Sequence, residues 1–426
     1  MNTKKILNFI GVIVAVFLIA GISINSKVID YDKKWKQTEE FVNEGLPKSA
    51  LKVVDEIYKT AKEENNSPQL IKSLIYRISL QSKFQEEGIL KSIAYFENEI
   101  KTSEEPVKQI LQSLTANLYE GYYSENRYKI NSRNTLEDYE NDDISTWDAL
   151  SFEKKIKYLY LQSLDNSSFL KELKLQKYAL VLTDKDSSNF KLYPSLYDIL
   201  ANRTLNHLTD NNNVGDIIPL REVNFDVALG NTSVFLKSSI ISDTANSDEK
   251  LISGLFKDLI SFHQQNNDTT ALIDLELRRL SYYKKKANES LTYDDIYLKS
   301  LFNLKSKFND NPSSVRISFE IGNVYEYYGN QYNRLEGEKN RWYLAKALEV
   351  YKEAVNKFPN SNYTAQCKSH IKSLEKQEVS ITKHDVELPG KPILASLDFK
   401  NINKLYFRII KAGEDFISEH FRSHKR

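Results

Sequence analysis

The chain has 426 residues with nearly balanced charge, 59 Lys and Arg against 58 Asp and Glu. A net charge of +1 excludes the strongly basic surface of a typical nucleic-acid-binding domain, and a hydrophobic content of 41% excludes a disordered chain. A single cysteine, Cys367, excludes an internal disulfide, so a buried thiol is expected there. Thirteen Gly and nine Pro in this length favour long helices over a turn-rich β-protein.

Residues 1–27 are predicted to form a signal or transmembrane helix. Lys4 and Lys5 precede an uncharged run from Ile6 to Ser26, which is long enough to cross a hydrocarbon core that takes about 20 helical residues. Basic residues before such a run favour export of the chain beyond it, so the sequence predicts an exported protein anchored to the membrane on its periplasmic or cell-surface side. Cleavage of the run as a signal peptide stays open beside an uncleaved anchor.

One stretch has the spacing of the second helix of a tetratricopeptide (TPR) repeat. In "NRWYLAKALEVYKEAVNKFPNS" the repeat positions occur at gaps of 4, 3 and 5. These positions are Ala347, Tyr351, Ala354 and Pro359. Small residues let paired helices approach closely, an aromatic ring fills the space beside them, and proline ends the turn.

The first helix of the same repeat is predicted in "SVRISFEIGNVYEYYG". Gly322, Tyr325 and Gly329 occupy its small and aromatic positions at gaps of 3 and 7. The segment "NQYNRLEGEKNRW" then lengthens the connection between the two helices. A weaker copy near the start of the exported region contains Gly45 and Ala50 but lacks the final proline, which makes it TPR-like.

Residues 30–376 are therefore predicted to form a TPR-like helical-repeat region. Apolar residues recur at helical spacing in 70–84, 89–100, 107–123, 152–164, 196–208, 251–262, 272–283 and 296–308. Because one helix pair cannot bury its apolar face alone, stacked pairs predict an all-α solenoid with a concave, protein-binding surface. The polar stretches 124–148 and 209–233 are predicted to be long connections and poor places for a core.

Residues 377–411 are predicted to hold a linker and the first strands of an incomplete β-sandwich, with an irregular tail at 412–426. Apolar residues alternate in two runs on either side of a "KNINK" turn. The alternating residues are Ile393, Ala395, Leu397 and Phe399, then Leu405, Phe407 and Ile409. The predicted fold class is thus all-α with a short C-terminal β-hairpin.

No cofactor or metal site is predicted. The six histidines show neither an H-E-x-x-H pair nor a Cys/His metal spacing. They are His207, His263, His370, His384, His420 and His424. Asp184, Asp186 and Ser188 alternate like the start of a calcium loop. Asn189 and Ser195 stand where that loop needs Gly and a bidentate Glu, so a solvated turn is predicted.

One enzymatic alternative is a glycosidase on a helical scaffold. Asp142, Asp143 and Asp148 beside Trp147 would supply its paired carboxylates. Acidic residues in an Asn-rich loop are more often solvated, and their spacing in sequence does not set the distance between two carboxyl groups. No catalytic residue is therefore predicted, and the chain is interpreted as non-enzymatic.

Several strings are more specific than TPR spacing, among them "FVNEGLPKSALKVVDEIYKTAKEENN", "PQLIKSLIYRISLQSKF", "PVKQILQSLTANLYEGYYSENRYKI", "DISTWD" and "YPSLYDILANRTL". From about Trp35 to Lys411 the sequence resembles the N-terminal region of bacterial alpha-2-macroglobulin-family proteins, large exported chains in which a helical region precedes β-sandwich domains. The resemblance implies that "VELPGKPILASLDFKNINKLYFRIIK" begins the first macroglobulin-like sandwich.

Protease trapping in that family uses a bait segment and, in many members, a Cys-x-Glu-Gln thioester. Cys367 is followed by "KSH", so no thioester is predicted. The leading hypothesis is a truncated, exported, non-enzymatic helical module that is not itself an inhibitor. Its expected partner is a protein or the adjoining domains of a longer chain, with no nucleic acid and no metal. The alternative is a stand-alone, membrane-anchored TPR-like adaptor for protein–protein interaction.

Overall fold

Helices make up most of the structure, and a short two-stranded antiparallel sheet follows the last helix. This confirms the broad prediction of a helical protein with a C-terminal hairpin. The computed structural model describes residues 29–81, 88–133, 143–182, 189–209, 223–240, 248–287, 292–383, 390, 392 and 394–407. The chain divides into two compact units, Met1–Asn224 with Ser238–Leu275, and Phe225–Lys237 with Glu276–Arg426. This division falls inside the region predicted as one repeat array.

The helices have the following bounds. In chain order the first are α1 (Tyr31–Asn43), α2 (Pro47–Glu63), α3 (Ser67–Gln81), α4 (Gly88–Thr102), α5 (Val107–Asn131), α6 (Ala149–Gln162), α7 (Ser167–Glu172), α8 (Asn189–Leu192) and α9 (Leu196–Thr209). Then come α10 (Phe225–Ala228), α11 (Thr232–Lys237), α12 (Asp248–Asn266), α13 (Thr269–Lys286), α14 (Thr292–Lys307), α15 (Ser314–Gly329), α16 (Tyr343–Lys357) and α17 (Thr364–Glu375). Short 3₁₀ helices lie at Ile144–Thr146, Leu175–Val181 and Arg334–Glu336.

In the first unit, consecutive helices pack as hairpins, and α9 packs against α5, α6, α7 and α12. The start of α9 is set by a reciprocal cap in which the Ser195 backbone N–H donates to Asp198 Oδ2 and the Asp198 backbone N–H donates to Ser195 Oγ. The side chains of α9 are buried nearly all the way round, including Leu200, Ala201 and Leu205. A helix that is buried on most of its faces lies at the centre of its unit.

In the second unit, α15, α16 and α17 pack in succession. Gly322 of α15 faces the fully buried ring of Tyr351 on α16, and a Cβ on Gly322 would overlap Tyr351 Cε1. The Tyr351 hydroxyl donates to Asn323 Oδ1 at 2.9 Å, which fixes the ring in place. Ala347 and Cys367 are buried in the same cluster, so these helices meet where their side chains are small.

The two strands are β1 (Glu378–Lys383) and β2 (Ala395–Lys400). The predicted pairing of β2 with a strand around Leu405 is wrong within the described residues, because residues 401–407 form no strand and β2 pairs with β1. The reason lies in the "KNINK" segment: Asn401 adopts a positive φ of 54° and its Nδ2 donates to the carbonyls of Leu374 and Lys376. The segment therefore binds the C-terminal end of α17 and does not turn β2 back on itself.

The predictions of a membrane protein with a transmembrane helix are corrected. Throughout the part of the chain that the structure describes, no helix combines the length and the apolar composition needed to cross a bilayer. The run from Ile6 to Ser26, on which the prediction rested, lies outside the described residues.

Two predicted connections also contain regular structure. Helix α5 continues to Asn131, through the polar beginning of the stretch 124–148. Within 209–233, Phe225, Ala228 and Leu229 are buried, so this stretch does contribute to a core. The short helices α10 and α11 are held there by a buried side chain from α13: Arg279 donates to the carbonyls of Ala228 and Gly230.

We expect Gly322→Ala to lower the free energy of unfolding by about 1–3 kcal/mol, because the added methyl group overlaps a buried ring that cannot move without losing its hydrogen bond. Gly254→Ala is the matched control, since Gly254 lies inside α12 with nothing within 4 Å of an added Cβ. That control should stabilise the protein by about 0.5–1 kcal/mol. Urea unfolding followed by circular dichroism measures both, and equal effects at the two positions would contradict the packing.

Candidate functional site

Three helices of the first unit, α5, α6 and α9, line a polar cavity of about 440 Å³. This volume lies within the range of about 300–1,000 Å³ that small-molecule sites occupy. Each helix contributes side chains at helical spacing, which places them on one face: Glu120 and Arg127 from α5, Glu153 and Tyr160 from α6, and Arg203 and His207 from α9.

His207 lies on the floor of the cavity between two carboxylates. Its Nδ1 is 2.9 Å from Glu120 Oε1, and its Nε2 is 3.2 Å from Glu153 Oε1. The Tyr160 hydroxyl donates to Glu120 Oε2 at 2.8 Å, and the Tyr160 ring lies 5.1 Å from the imidazole. Each of the three helices therefore contributes to one ionic cluster, Glu120–His207–Glu153, in which His207 and Glu153 are buried and the Glu120 side chain is 31% exposed.

The cluster favours a protonated histidine. Burial alone would lower the pKa of His207, but the hydrogen bond to Glu120 and the charge of Glu153 outweigh it and raise the pKa to about 9. Burial also works against ionisation of Glu120, but hydrogen bonds from His207, Tyr160 and Asn117 hold the pKa of that carboxyl below its usual value. A charged histidine between carboxylates holds the helices together and is poorly suited to accept a proton.

The cluster is incompletely bonded at Glu153. This residue is 7% exposed, and its Oε1 accepts no hydrogen bond from the described residues. The 3.2 Å contact to His207 Nε2 is close enough for an ion pair but poorly directed for a hydrogen bond. A buried carboxylate oxygen without a donor costs free energy, so a donor entering the cavity would be stabilised there.

A second buried histidine lies on the other side of α9. His263 of α12 contacts Asp198 Oδ1 through Nε2 at 2.7 Å and Asp268 Oδ2 through Nδ1 at 3.1 Å. Burial lowers the pKa of His263, but the hydrogen bonds and charges of the two carboxylates raise it overall. Because both ring nitrogens of His263 are bonded within the protein, we interpret its contact with Asp198 as a structural link between α9 and α12.

The residues predicted to pack a repeat are found in different settings. Four of them are small residues in helices: Ala50, Ala347 and Ala354 are buried, and Gly329 lies so near Leu344 that a Cβ would be 2.8 Å from its Cδ2. Gly45 instead follows α1 with a φ of 72° and nothing near an added Cβ, so its conformation is what requires glycine.

The remaining predicted packing residues lie around the α15–α16 pair. The ring of Tyr325 lies 5.2 Å from that of Tyr343, across the two helices. Tyr351 faces Gly322 as described above. Pro359 is exposed in the turn after α16, where a residue without an N–H is tolerated.

Two of the three carboxylates of the glycosidase alternative, Asp143 and Asp148, are helix caps. Asp143 Oδ1 accepts from the Ser145 N–H at 2.9 Å, and Asp148 Oδ1 accepts from the Ser151 N–H at 2.8 Å. Trp147 stacks on Tyr119 in the core, with ring centroids 5.7 Å apart. Asp142 lies outside the described residues, as do Asp184, Asp186 and Ser188.

No protein-family profile matches the sequence, and no curated protein matches it significantly. Within the described ranges, no group of three His, Cys, Asp or Glu side chains is arranged to hold a metal ion. The Glu120–His207–Glu153 cluster fits this result, because its two carboxylates contact opposite nitrogens of one ring and do not converge on a shared point.

The hairpin presents a second candidate surface. Val379 pairs with Phe399, and Ile381 pairs with Leu397, so that all four lie on one face of the sheet. Val379, Ile381 and Phe399 are exposed by 47%, 53% and 61%. The opposite face carries the polar side chains of Ser380, Thr382, Ser396 and Asp398. The sheet is thus amphipathic, with its apolar face open to solvent among the described residues.

We expect the His207 cluster to make stability depend on pH. The pKa of His207 is raised in the folded state, so its contribution is complete below the unfolded value of about 6.5 and is lost as pH rises through about 9. The wild-type protein should therefore lose about 3 kcal/mol more than His207→Gln between pH 6.5 and 10. Urea unfolding across this range measures the difference, and parallel curves for the two proteins would contradict the assignment.

Proposed function

We propose that the protein is a non-enzymatic helical module that binds a β-sheet partner through its C-terminal hairpin. The observation that carries the proposal is the amphipathic hairpin whose apolar face is exposed. Two-stranded sheets are marginal in water, and their edges present unpaired N–H and C=O groups. A partner that supplies further strands or a second sheet covers the apolar face and pairs an edge.

The sequence resemblance supports the same proposal. In the alpha-2-macroglobulin family a helical region is followed by β-sandwich domains, and the hairpin here comes directly after α17. The close approach of Gly322 to Tyr351 supports a TPR-like interpretation of α15 and α16, a packing used in protein-binding arrays. Export of the chain remains part of the proposal, and it rests on the N-terminal sequence alone.

A test places a photo-crosslinking amino acid at Ile381 or at Thr382 in the source cells. The two positions are neighbours on the same strand and point to opposite faces, so they form a matched pair. We expect a discrete cross-linked protein from Ile381 and none from Thr382, with the cross-link mapping to a β-strand of the partner. Equal cross-linking from the two positions, or none from Ile381, would contradict a partner on the apolar face.

The adaptor alternative is favoured by a different observation. Tyr327, Leu335 and Trp342 are 62%, 94% and 64% exposed and lie near the connection between α15 and α16. Exposed Tyr and Trp side chains are frequent anchors of protein interfaces. The same cross-linker at Trp342 distinguishes the two functions, because an adaptor would be captured from Trp342 and a sheet partner from Ile381.

A further inference from the structure

The cavity between α5, α6 and α9 is independent of the hairpin and has its own chemistry. Its floor is the Glu120–His207–Glu153 cluster, and its rim carries Arg127, which is exposed and forms no ion pair with the described residues. Arg203 borders the cavity on α9, where its Nε and Nη2 donate to Ser113. The guanidinium is thereby held in position and keeps its charge.

The charged groups are distributed along the cavity. Glu120 and Arg127 are seven residues apart on α5, which corresponds to about 10 Å along a helix axis. Arg203 and His207 are one turn apart on α9, or about 6 Å. The cavity therefore has a cationic group near its rim, another beside its floor, and a hydrogen-bond acceptor without a donor, Glu153 Oε1, on the floor.

The formal charges limit the ligand. Arg127, Arg203 and His207 are cationic and Glu120 and Glu153 are anionic, which leaves one positive charge on the lining. A simple anion would suit the arginines but would leave Glu153 Oε1 without a donor, and a simple amine would do the reverse. A ligand with one ammonium and two acidic groups supplies a donor to Glu153 Oε1 and anionic partners to the two arginines. Its single net negative charge balances the positive charge of the cavity lining.

We propose that this cavity binds an acidic amino acid, with its ammonium donating to Glu153 and its carboxylates paired with Arg127 and Arg203. The cavity of about 440 Å³ admits such a molecule with water beside it. Tyr160 and His207 are already bonded to Glu120, so they shape the floor and do not need to reorganise on binding.

Isothermal titration of the full chain with L-glutamate tests the proposal, with glutarate and L-glutamine as probes that lack the ammonium and one carboxylate. L-glutamate should bind at least tenfold more tightly than either probe. No heat with L-glutamate at concentrations up to about 10 mM would overturn the proposal. Binding of glutarate or L-glutamine at equal affinity would overturn it as well.

Two variants locate the ligand. Arg127→Gln should weaken L-glutamate binding at least tenfold, whereas Lys129→Gln, which removes an exposed charge from the same helix outside the cavity lining, should leave it unchanged. In Glu153→Gln the preference for L-glutamate over glutarate should shrink, because the ammonium loses its charged acceptor. Equal affinities in the two α5 variants, or an undiminished preference in Glu153→Gln, would show that the ligand binds elsewhere.

Discussion

The ion pairs of His207 join the three helices that line the cavity, because one imidazole from α9 contacts carboxylates from both α5 and α6. Removing the charged groups of His207 and Glu153 from water is costly, and the cost is recovered only when these groups remain paired. The same helix uses Asp198 to contact His263 of α12 on its other side. Helix α9 is therefore fixed by charge as well as by apolar packing, and this fixes the walls of the cavity.

In the second unit a buried charged side chain bonds backbone carbonyl groups. The segment that contains α10 and α11 has only short helices, so its backbone leaves carbonyl groups that no long helix satisfies. The side chain of Arg279 on α13 is fully buried beside this segment and donates to the carbonyls of Ala228 and Gly230. It also forms an ion pair with Glu276. Its guanidinium also lies 4.4 Å from the centre of the Phe235 ring. One side chain thus replaces the backbone pairing that regular structure would provide.

Sequence periodicity predicted the long helices because burial on one face imposes a 3.6-residue repeat, as in α12, where Ile252, Phe256, Leu259 and Ile260 are all buried. The candidate site was missed because its polar groups come from helices far apart in sequence. Asp198, Asn202 and His207 occupy buried positions of α9, and such polar residues among leucines were the available signal.

The helix caps at Asp143 and Asp148 could be predicted from the sequence, because each Asp is followed two or three residues later by Ser. The β1–β2 pairing was not readable, because it depends on a contact between Asn401 and the end of α17.

That contact determines how the hairpin can act. Asn401 Nδ2 donates to two carbonyls at the C-terminal end of α17, and Lys400 Nζ donates to a third, that of Ser373. The last carbonyls of a helix lack intrahelical partners, so these bonds join the sheet to the helix at groups that would otherwise need water. A hairpin fixed in this way presents its apolar face in a set direction relative to α17. A partner that covers the face then loses little free energy in ordering the strands, since the last residue of β2, Lys400, and the next residue, Asn401, are already bound to the end of α17.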